Sequence, residues 1–180
     1  EIMALNNSVG FPVVFHEAYP DMVEYLATQG PGISIAELRA GIASPDVAGI
    51  YDTFVLPRKA LDAAGNIVDS APLYDYAQNV GRPALREHYK ALFARHRLDA
   101  FVFPTTPIVA PLARPDVSEP QNFSLLIQNT EPSASAGLPG IQLPVGIGAT
   151  TGLPVGLELD GHAGDDRRLL AIGIALENLL

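Results

Sequence analysis

The sequence predicts an α/β protein built around a mixed sheet, and three observations lead to that class. Segments of helical period alternate with short apolar runs of strand type along the chain, without an internal repeat. Apolar residues make up 48% and charged residues 17% of the 180 residues, which is the composition of a globular chain able to bury a core. The 16 glycines and 16 prolines fall mainly in loops beside the apolar runs.

The first part of the chain has the pattern of helices separated by breaks. Residues 11–29 predict a helix in which Pro20 begins a fresh turn. Gly-Pro-Gly at residues 30–32 predicts a break. Ser34 and Glu37 then have the spacing of a capping box, which predicts the start of a short helix.

The next helices are predicted from apolar stripes. Ser44 precedes a proline and starts a helix, whose predicted apolar stripe is Val47, Ile50, Tyr51 and Phe54. Residues 62–66 predict a surface turn. Residues 83–97 predict the clearest helix of the chain, with a stripe made of Leu85, Tyr89, Leu92, Phe93 and His96.

The strands are predicted in the second half. Residues 100–103 form a continuous apolar run, as in a strand buried on both faces. Residues 141–145 and 155–159 predict two further strands. Pro144 cannot donate to a ladder, so its strand is expected at a sheet edge or with a bulge at that position.

The segments around these strands are predicted as follows. Residues 110–122 contain three prolines and predict a loop, and residues 123–136 predict a helix despite Pro132. Asp165 is expected to cap the last helix, and that helix has a predicted core stripe made of Leu169, Ile172, Leu176 and Leu179.

Composition excludes several functional classes. Eleven basic and 20 acidic residues give a net charge of −9, which argues against a nucleic-acid surface. The absence of cysteine excludes a disulfide framework and a thiolate site, and it fits a cytoplasmic protein. We expect no membrane contact, because no apolar run approaches the length of a membrane helix. The first residues do not read as a signal peptide, and the Glu1 start predicts that translation begins upstream.

Few residues have the pattern of a reactive site. The segment from Ser133 to Gly137 imitates a nucleophile elbow but lacks its first glycine, and neither Lys59 nor Lys90 follows a serine at the Ser-x-x-Lys spacing. The ordinary interpretation is that the small residues of this loop allow its backbone to pack closely against a neighbouring part of the protein. The four histidines are scattered. The acidic cluster near His162 (Asp160, Asp165, Asp166) is interpreted as structural, so we expect no metal and no cofactor.

Thr105 and Thr106 follow the first apolar strand directly. In open α/β sheets ligands bind beyond the carboxyl ends of the strands, so these hydroxyls are candidates for lining a pocket. The alternative is an ordinary strand-to-loop exit in which the threonines bond their own backbone. The residues alone leave both interpretations open.

Three blocks together resemble the late part of the amidase signature family. They are Leu-Asp-Ala-Phe-Val-Phe-Pro-Thr-Thr-Pro at residues 98–107, the segment from Asn129-Thr130 through Gly-Leu-Pro-Gly-Ile-Gln-Leu-Pro-Val-Gly to residue 146, and Gly-Leu-Pro-Val-Gly-Leu at residues 152–157. The similarity is specific over 98–180 and looser over 5–97. Within the family it is greatest to bacterial amidases of the mandelamide, indoleacetamide or aryl-amide type.

The resemblance implies an α/β/α fold around a mixed central sheet and hydrolysis of a carboxamide through a Ser–cis-Ser–Lys triad. The lysine would act as the base, the second serine would relay the proton and the first would attack the carbonyl. This chain has no Gly-Gly-Ser-Ser-Gly-Gly signature and no matching lysine. No catalytic residue is therefore assigned here, and the chain alone is expected to be inactive. The expected partner is the N-terminal part of the same amidase, cleaved or separate, which would contain the triad.

The resemblance also implies a substrate wall. Position by position it nominates Thr105, Thr106, Asn129, Thr130 and Ser133. The expected ligand is a small-molecule amide. Residues 1–180 are expected to form the C-terminal portion of one larger domain, helical over 5–97 and with the sheet strands and closing helix over 98–180. A homodimer of the whole enzyme stays open. Two alternatives are a non-catalytic binding or scaffold subunit and a protein like the amidotransferase A subunit.

Overall fold

A computed structural model describes residues 1–30, 32–114, 117 and 119–180. The predicted break at 30–32 and the predicted loop at 110–122 each include positions outside these residues, among them Pro31 and Pro115. The chain divides into two compact units. We call Asn7–Gly81 the helical unit, and Glu1–Asn6 with Arg82–Leu180 the sheet unit.

The elements of the described residues follow one another from the first residues to the last. In chain order they are α1 (Ile2–Asn6), α2 (Gly10–Thr28), α3 (Ile35–Ala40), α4 (Pro45–Ile50) continued by a π-helical turn (Tyr51–Val55), β1 (Lys59–Leu61), β2 (Ile67–Asp69), α5 (Ser70–Tyr76), a second π-helical turn (Ala77–Gly81), α6 (Arg82–His96), β3 (Phe101–Pro104), α7 (Pro120–Ile127), α8 (Glu131–Ala136), β4 (Gly140–Ile147), β5 (Pro154–Asp160) and α9 (Asp166–Glu177). Each helix in the described ranges is too short or too polar to cross a bilayer.

In the helical unit, α2 passes through Pro20 without interruption, so the predicted fresh turn at that residue is wrong. Pro20 is exposed, while Val13 and Leu26 on either side of it are buried. Packing of α2 therefore outweighs the one backbone hydrogen bond that a proline removes. Val9 and Val13 form the centre of this unit with Ala77.

The predicted helix starts of this unit are confirmed. Ser34 Oγ accepts from the backbone N–H of Glu37 at 3.2 Å, and Glu37 Oε2 accepts from the N–H of Ser34 at 2.7 Å. Ser44 Oγ accepts more weakly from the N–H of Val47 at 3.5 Å. The stripe predicted after Ser44 is only partly buried, since Val47 and Ile50 are each 43% exposed. A π-helical turn follows and shifts the later residues away from the 3.6-residue period.

The turn predicted at residues 62–66 is confirmed and closes the β1–β2 hairpin. Asp62 Oδ1 organises this turn by accepting from the backbone N–H groups of Ala64 at 2.9 Å and Asn66 at 2.8 Å. The two flanking strands were not predicted. Each is only three residues long, which is too short for an alternating pattern to show.

The sheet unit contains a three-stranded sheet in the order β3-β5-β4, and the α/β class is confirmed. Both pairings among these described strands are antiparallel. The central strand β5 places Asp160 opposite Phe101 and Gly140, and Glu158, two pairs further along, opposite Phe103 and Gln142. The register shifts between Pro144 and Gly146, so the expected edge position with a bulge is confirmed.

One face of this sheet packs on α9 and the other on α6. Leu159 and Leu143 contact Leu169 of α9, and all three are buried. On the opposite face, Phe101 makes edge-to-face contacts with Tyr89 and Phe93 of α6, at centroid separations of 5.7 and 4.6 Å. The sheet is therefore the middle layer of this unit.

Several sequence predictions for this unit need correction. Val102 is 55% exposed because β3 lies at the sheet edge, so that strand is not buried on both faces. His96 is exposed in the last turn of α6. Leu179 is 83% exposed, because α9 ends at Glu177 before reaching it. Asp165 precedes α9 but makes no side-chain capping bond.

The segment between β3 and β4 also differs from the prediction. Helix α7 already begins at Pro120, inside the range predicted as loop. The helix predicted over 123–136 is two helices, α7 and α8, which are separated by three residues. Pro132 lies in the first turn of α8, where a proline costs no backbone hydrogen bond.

Candidate functional site

A cavity with a volume of about 450 Å³ lies within the sheet unit. Its walls come from the end of α7, one side of α8, the start of β4 and the carboxyl end of β5. Apolar side chains such as Ile127 and Leu138 line it together with hydroxyl and carboxyl groups. A concave, mostly apolar cavity with a few convergent polar groups is the usual form of a small-molecule site.

Helix α8 is held in place at its carboxyl end. Gly137 follows it with φ 74° and ψ 37°, a left-handed conformation that favours glycine. The N–H of Leu138 donates to the carbonyl of Ser133 at 3.0 Å. Arg82 Nε donates to the carbonyl of Ser135 at 3.0 Å, and the Nε atom of Arg86 donates to that of Ala136 at 2.7 Å.

Thr130 and Ser133, two of the five predicted wall residues, line this cavity together. Ser133 Oγ donates to the carbonyl of Thr130 at 3.1 Å, and Thr130 Oγ1 donates to the carbonyl of Ile127 at 3.2 Å. Both hydroxyl protons are therefore engaged in local turn bonds. The hydroxyl oxygens keep acceptor capacity toward a ligand.

Asn129 lies in a different place. Its Nδ2 donates to the carbonyl of Pro104 at 2.8 Å and ties the α7–α8 segment to the end of β3. It lines a second cavity of about 260 Å³ together with Phe103 and Pro132. Asn129 thus connects the strand end with the helical segment but does not join Thr130 and Ser133 in the first cavity.

Thr105 and Thr106 line neither of these two cavities. The N–H of Thr105 donates to the carbonyl of Gly156 at 3.1 Å, and its Oγ1 is buried without a well-formed hydrogen bond among the described residues. Thr106 is exposed and its Oγ1 donates to the carbonyl of Ile108 at 2.7 Å. The bond of Thr106 is the local backbone contact that the alternative interpretation of this strand exit expected.

The sequence interpretation missed the carboxyl groups of the cavity. Glu158 and Asp160 are two residues apart on β5 and share one face of the sheet. Burial raises the pKa of Asp160 to about 6; the nearby Ser133 hydroxyl lowers it and the charge of Glu158 raises it further. Burial also raises the pKa of Glu158, partly offset by Thr105.

Glu131 of α8 faces the same cavity, and burial raises its pKa as well. The available signal for the pair on β5 was the alternation of two acids with Leu157 and Leu159 in a predicted strand. Acids on one face of a central strand can face either solvent or a polar cavity. The sequence does not distinguish these two cases, because the cavity is completed by α8, which comes earlier in the chain.

The acidic cluster near His162 has no site geometry in the structure. His162 stacks on Phe93 at a ring-centroid distance of 3.9 Å, and its Nε2 lies 3.2 Å from the carbonyl oxygen of Leu98. Among the described residues no three His, Cys, Asp or Glu side chains are grouped to hold a metal ion.

A serine–histidine pair lies in the helical unit. Ser70 Oγ is 2.9 Å from Nδ1 of His16, and Arg58 Nη2 is 2.7 Å from Nε2 of the same ring. A guanidinium only donates, so Nε2 must accept and Nδ1 carries the proton that it donates to Ser70. The imidazole therefore cannot take a proton from Ser70 through this contact, which a nucleophilic pair would require.

The two lysines form surface ion pairs. Lys59 Nζ lies 3.8 Å from an Asp69 oxygen, and Lys90 Nζ lies 3.3 Å from a Glu87 oxygen. No serine–lysine arrangement is thus visible among the described residues. The described residues form a cavity on an α/β scaffold.

A family model described as Amidase matches residues 53–170, which is more than half of this chain. The chain belongs to the Amidase family, and the predicted resemblance is confirmed. It is 39% identical over 180 residues to a mandelamide hydrolase of Pseudomonas putida, covering 100% of this chain and 36% of that protein. It is 37% identical over 182 residues to an indoleacetamide hydrolase of Agrobacterium vitis, covering 98% of this chain and 37% of that protein.

The crystal structure of an amidase has the same fold over nearly the whole chain. The TM-score is 0.58 at 26% sequence identity, covering 96% of this chain and 37% of that chain. The chain therefore spans little more than a third of the length of these relatives.

Proposed function

We propose that this chain forms the substrate-binding C-terminal part of an amidase that hydrolyses a carboxamide to a carboxylic acid and ammonia or an amine. The observation behind this proposal is the identity of 39% and 37% to two amide hydrolases over essentially the whole chain. The cavity beside Thr130 and Ser133 supplies a place for the substrate.

The Ser–cis-Ser–Lys triad belongs, in this proposal, to the N-terminal part of the same enzyme. Its lysine accepts the proton that the second serine relays from the first, and the first serine Oγ attacks the amide carbon. Backbone N–H groups hold the resulting oxyanion. The amine leaves with a proton, and water then releases the acid from the acyl-enzyme. The surface ion pairs of Lys59 and Lys90 support a lysine base from elsewhere.

The cavity favours an acyl group that is aryl or of medium apolar size. Ile127 and Leu138 give it an apolar lining, and Thr130 and Ser133 add acceptor oxygens. Asn129 holds the segment that contains these two residues against the end of β3. We assign Thr105 and Thr106 to the outer part of the same wall, on the strand end to which Asn129 is bonded.

The first test compares this chain alone with the complete polypeptide that carries it. Hydrolysis of phenylacetamide is expected only from the complete polypeptide, because the triad lies outside this chain. Binding of phenylacetamide without hydrolysis by the complete polypeptide would favour the non-catalytic binding subunit instead.

The second test uses Thr130→Ala in the complete polypeptide. Loss of the cavity hydroxyl is expected to change the ratio of kcat/KM for aryl over aliphatic amides by about tenfold, since a small change in a pocket has effects of this size. Thr150→Ala is the matched control, because Thr150 is exposed in the turn between β4 and β5. Equal ratios in the two variants would disprove the assignment of the wall.

A further inference from the structure

The side chain of Asp160 is buried in the cavity wall. It is 1% exposed, and neither carboxylate oxygen makes a well-formed hydrogen bond among the described residues. The Ser133 hydroxyl lies near this carboxyl group, but its well-formed bond runs to the carbonyl of Thr130. Buried polar groups are nearly always hydrogen-bonded, and an unpaired buried carboxylate is costly. An occupant of the adjoining cavity that donates hydrogen bonds would satisfy this carboxylate.

The carboxylate of Glu158 converges on the same point. A methyl group placed on Gly140 would lie 2.9 Å from Oδ1 of Asp160 and 3.1 Å from Oε1 of Glu158. Both acids thus approach the glycine backbone of the neighbouring strand from β5. Glu131 faces the cavity from α8, so carboxyl groups lie on two of its walls.

The chemistry of this lining suits a cation. Arg82 and Arg86, the basic residues that hold α8, donate through Nε to backbone carbonyls. The described residues include no group of three side chains arranged for a metal ion. A primary ammonium group has three N–H donors on one compact centre. Asp160, Glu158 and the hydroxyl oxygen of Ser133 are three acceptors of the matching kind.

The apolar residues of the cavity determine the kind of molecule that can carry the ammonium group. Ile127, Ala134 and Leu138 are apolar residues of the same cavity, and its volume of about 450 Å³ admits a small ring or short alkyl body. An occupant with a charged end and an apolar body matches both parts of the lining.

We propose that this cavity is a subsite for a primary ammonium group on an aryl or short alkyl body, held by Asp160 and Glu158. The amides accepted by the enzyme then include amides with a free amino group on the acyl side. This second statement rests on the proposed function. The binding of the cation rests only on the geometry of the two acids.

The binding test uses benzylammonium and its neutral counterpart benzyl alcohol, titrated calorimetrically at pH 7.5 into the complete polypeptide. Benzylammonium is expected to bind, and Asp160→Asn is expected to weaken it about tenfold or more, because a charge-assisted hydrogen bond is lost. Binding of benzyl alcohol is expected to be at least about tenfold weaker than that of the cation and unchanged by the substitution. Equal affinity for both probes, or no binding of the cation, would overturn the proposal.

A second variant keeps both charges and is therefore independent of any effect of Asp160→Asn on folding. Gly140→Ala introduces a methyl group between the two carboxylates and is expected to reduce benzylammonium binding about tenfold. Gly49→Ala is the matched control, because a methyl group there meets nothing within 4 Å. An unchanged affinity in Gly140→Ala would count against the subsite.

A parallel assay separates this inference from the proposed function. Hydrolysis of 4-methylbenzamide tests the amidase, and the ratio of kcat/KM for 4-(aminomethyl)benzamide over 4-methylbenzamide tests the subsite. Hydrolysis with no preference for the cation and no benzylammonium binding would refute the subsite and retain the amidase. Benzylammonium binding without hydrolysis of either amide would retain the subsite and refute the amidase.

Discussion

Arg58 donates from Nη2 to Nε2 of His16 across 2.7 Å, which fixes the imidazole as the tautomer protonated on Nδ1. The same ring stacks on Tyr74 at a centroid distance of 4.2 Å and reaches Ser70, which is fully buried. His16 therefore links α2 to α5 as a neutral group.

The stability of the helical unit should fall as the pH is lowered from about 6.5. Burial and the charge of Arg58 lower the pKa of His16, and the charges of Asp69, Asp75 and Glu17 only partly offset this. Because the pKa of His16 is lower in the folded state, the unfolded chain takes up the proton first as the pH falls. The free energy of unfolding therefore decreases between the pKa of the unfolded state and that of the folded state.

Hydrogen exchange of the α2 amides at pH 7.5 and 5.5, corrected for the intrinsic exchange rates, measures this effect. His16→Gln is the control, since it keeps a polar side chain but removes the titration. The variant should be less protected than the parent at pH 7.5 and lose less protection on acidification. Parallel pH dependence in the two proteins would contradict the role of His16.

In the ligand-free chain, Asp160 should make the protein less stable as the pH rises, whereas His16 makes it less stable as the pH falls. Burial raises the pKa of Asp160 to about 6, with the Ser133 hydroxyl lowering it and the charge of Glu158 raising it. Burial, together with the charge of Asp160, raises the pKa of Tyr89 to about 12. Stability associated with protonated Asp160 is complete below the unfolded pKa and is lost as pH rises through 6. The loss amounts to at most about 3 kcal/mol.

Urea unfolding of Asp160→Asn at pH 4 and pH 7.5 checks this prediction. The substitution removes a buried charge, so the variant should be more stable than the parent at pH 7.5 and close to it at pH 4. A variant that is less stable than the parent at both values would show that the carboxylate is paired.

Two adjacent leucines of α9 provide a matched test of the core. Leu169 is 2% exposed and contacts Leu143 and Leu159, whereas Leu170 is 54% exposed. Leu169→Ala should lower the free energy of unfolding by about 2–5 kcal/mol because it leaves a cavity. Leu170→Ala should change it by less than about 0.5 kcal/mol. Urea denaturation measures the free energy of unfolding of both variants. Similar losses in the two would mean that α9 does not pack as described.

The two serine caps of the helical unit should differ in strength. Ser34→Ala removes a reciprocal capping box and should cost about 1 kcal/mol, while Ser44→Ala removes only a 3.5 Å contact and should cost less. Glu37→Gln keeps both halves of the box, because the amide oxygen still accepts from the N–H of Ser34, and therefore tests the contribution of the charge alone. Thermal unfolding followed by circular dichroism compares the three variants, and an equal loss for Ser34→Ala and Ser44→Ala would refute the ranking.

Local patterns were sufficient for the two serine caps, the turn at 62–66 and the existence of strands β4 and β5. Each depends on residues within a few positions, such as Ser34 with Glu37 or Asp62 with Asn66. The fold class followed from the alternation of such segments. The bulge beside Pro144 was predictable because proline lacks an N–H wherever it occurs.

Features that depend on distant contacts were not predictable. Ser70 and Arg58 reach His16 from 54 and 42 positions away, so no spacing rule connects them. The acid pair shares its cavity with residues of α8, and only the structure shows that Asp160 is buried without a well-formed hydrogen bond. Thr130 and Ser133 were placed by family resemblance and share one cavity, but Asn129 faces another because it bonds to Pro104.

The order of the strands has a consequence for synthesis on the ribosome. Strand β3 has its described pairing only with β5, which begins about 50 residues later, since β4 lies on the far side of β5. At ordinary translation speeds the nascent β3 waits on the order of several seconds for its partner. During this interval the edge of β3 that pairs with β5 is accessible to chaperones and to other nascent chains. Slower codons between β3 and β5 would prolong the exposure of this edge and lower the yield of folded protein.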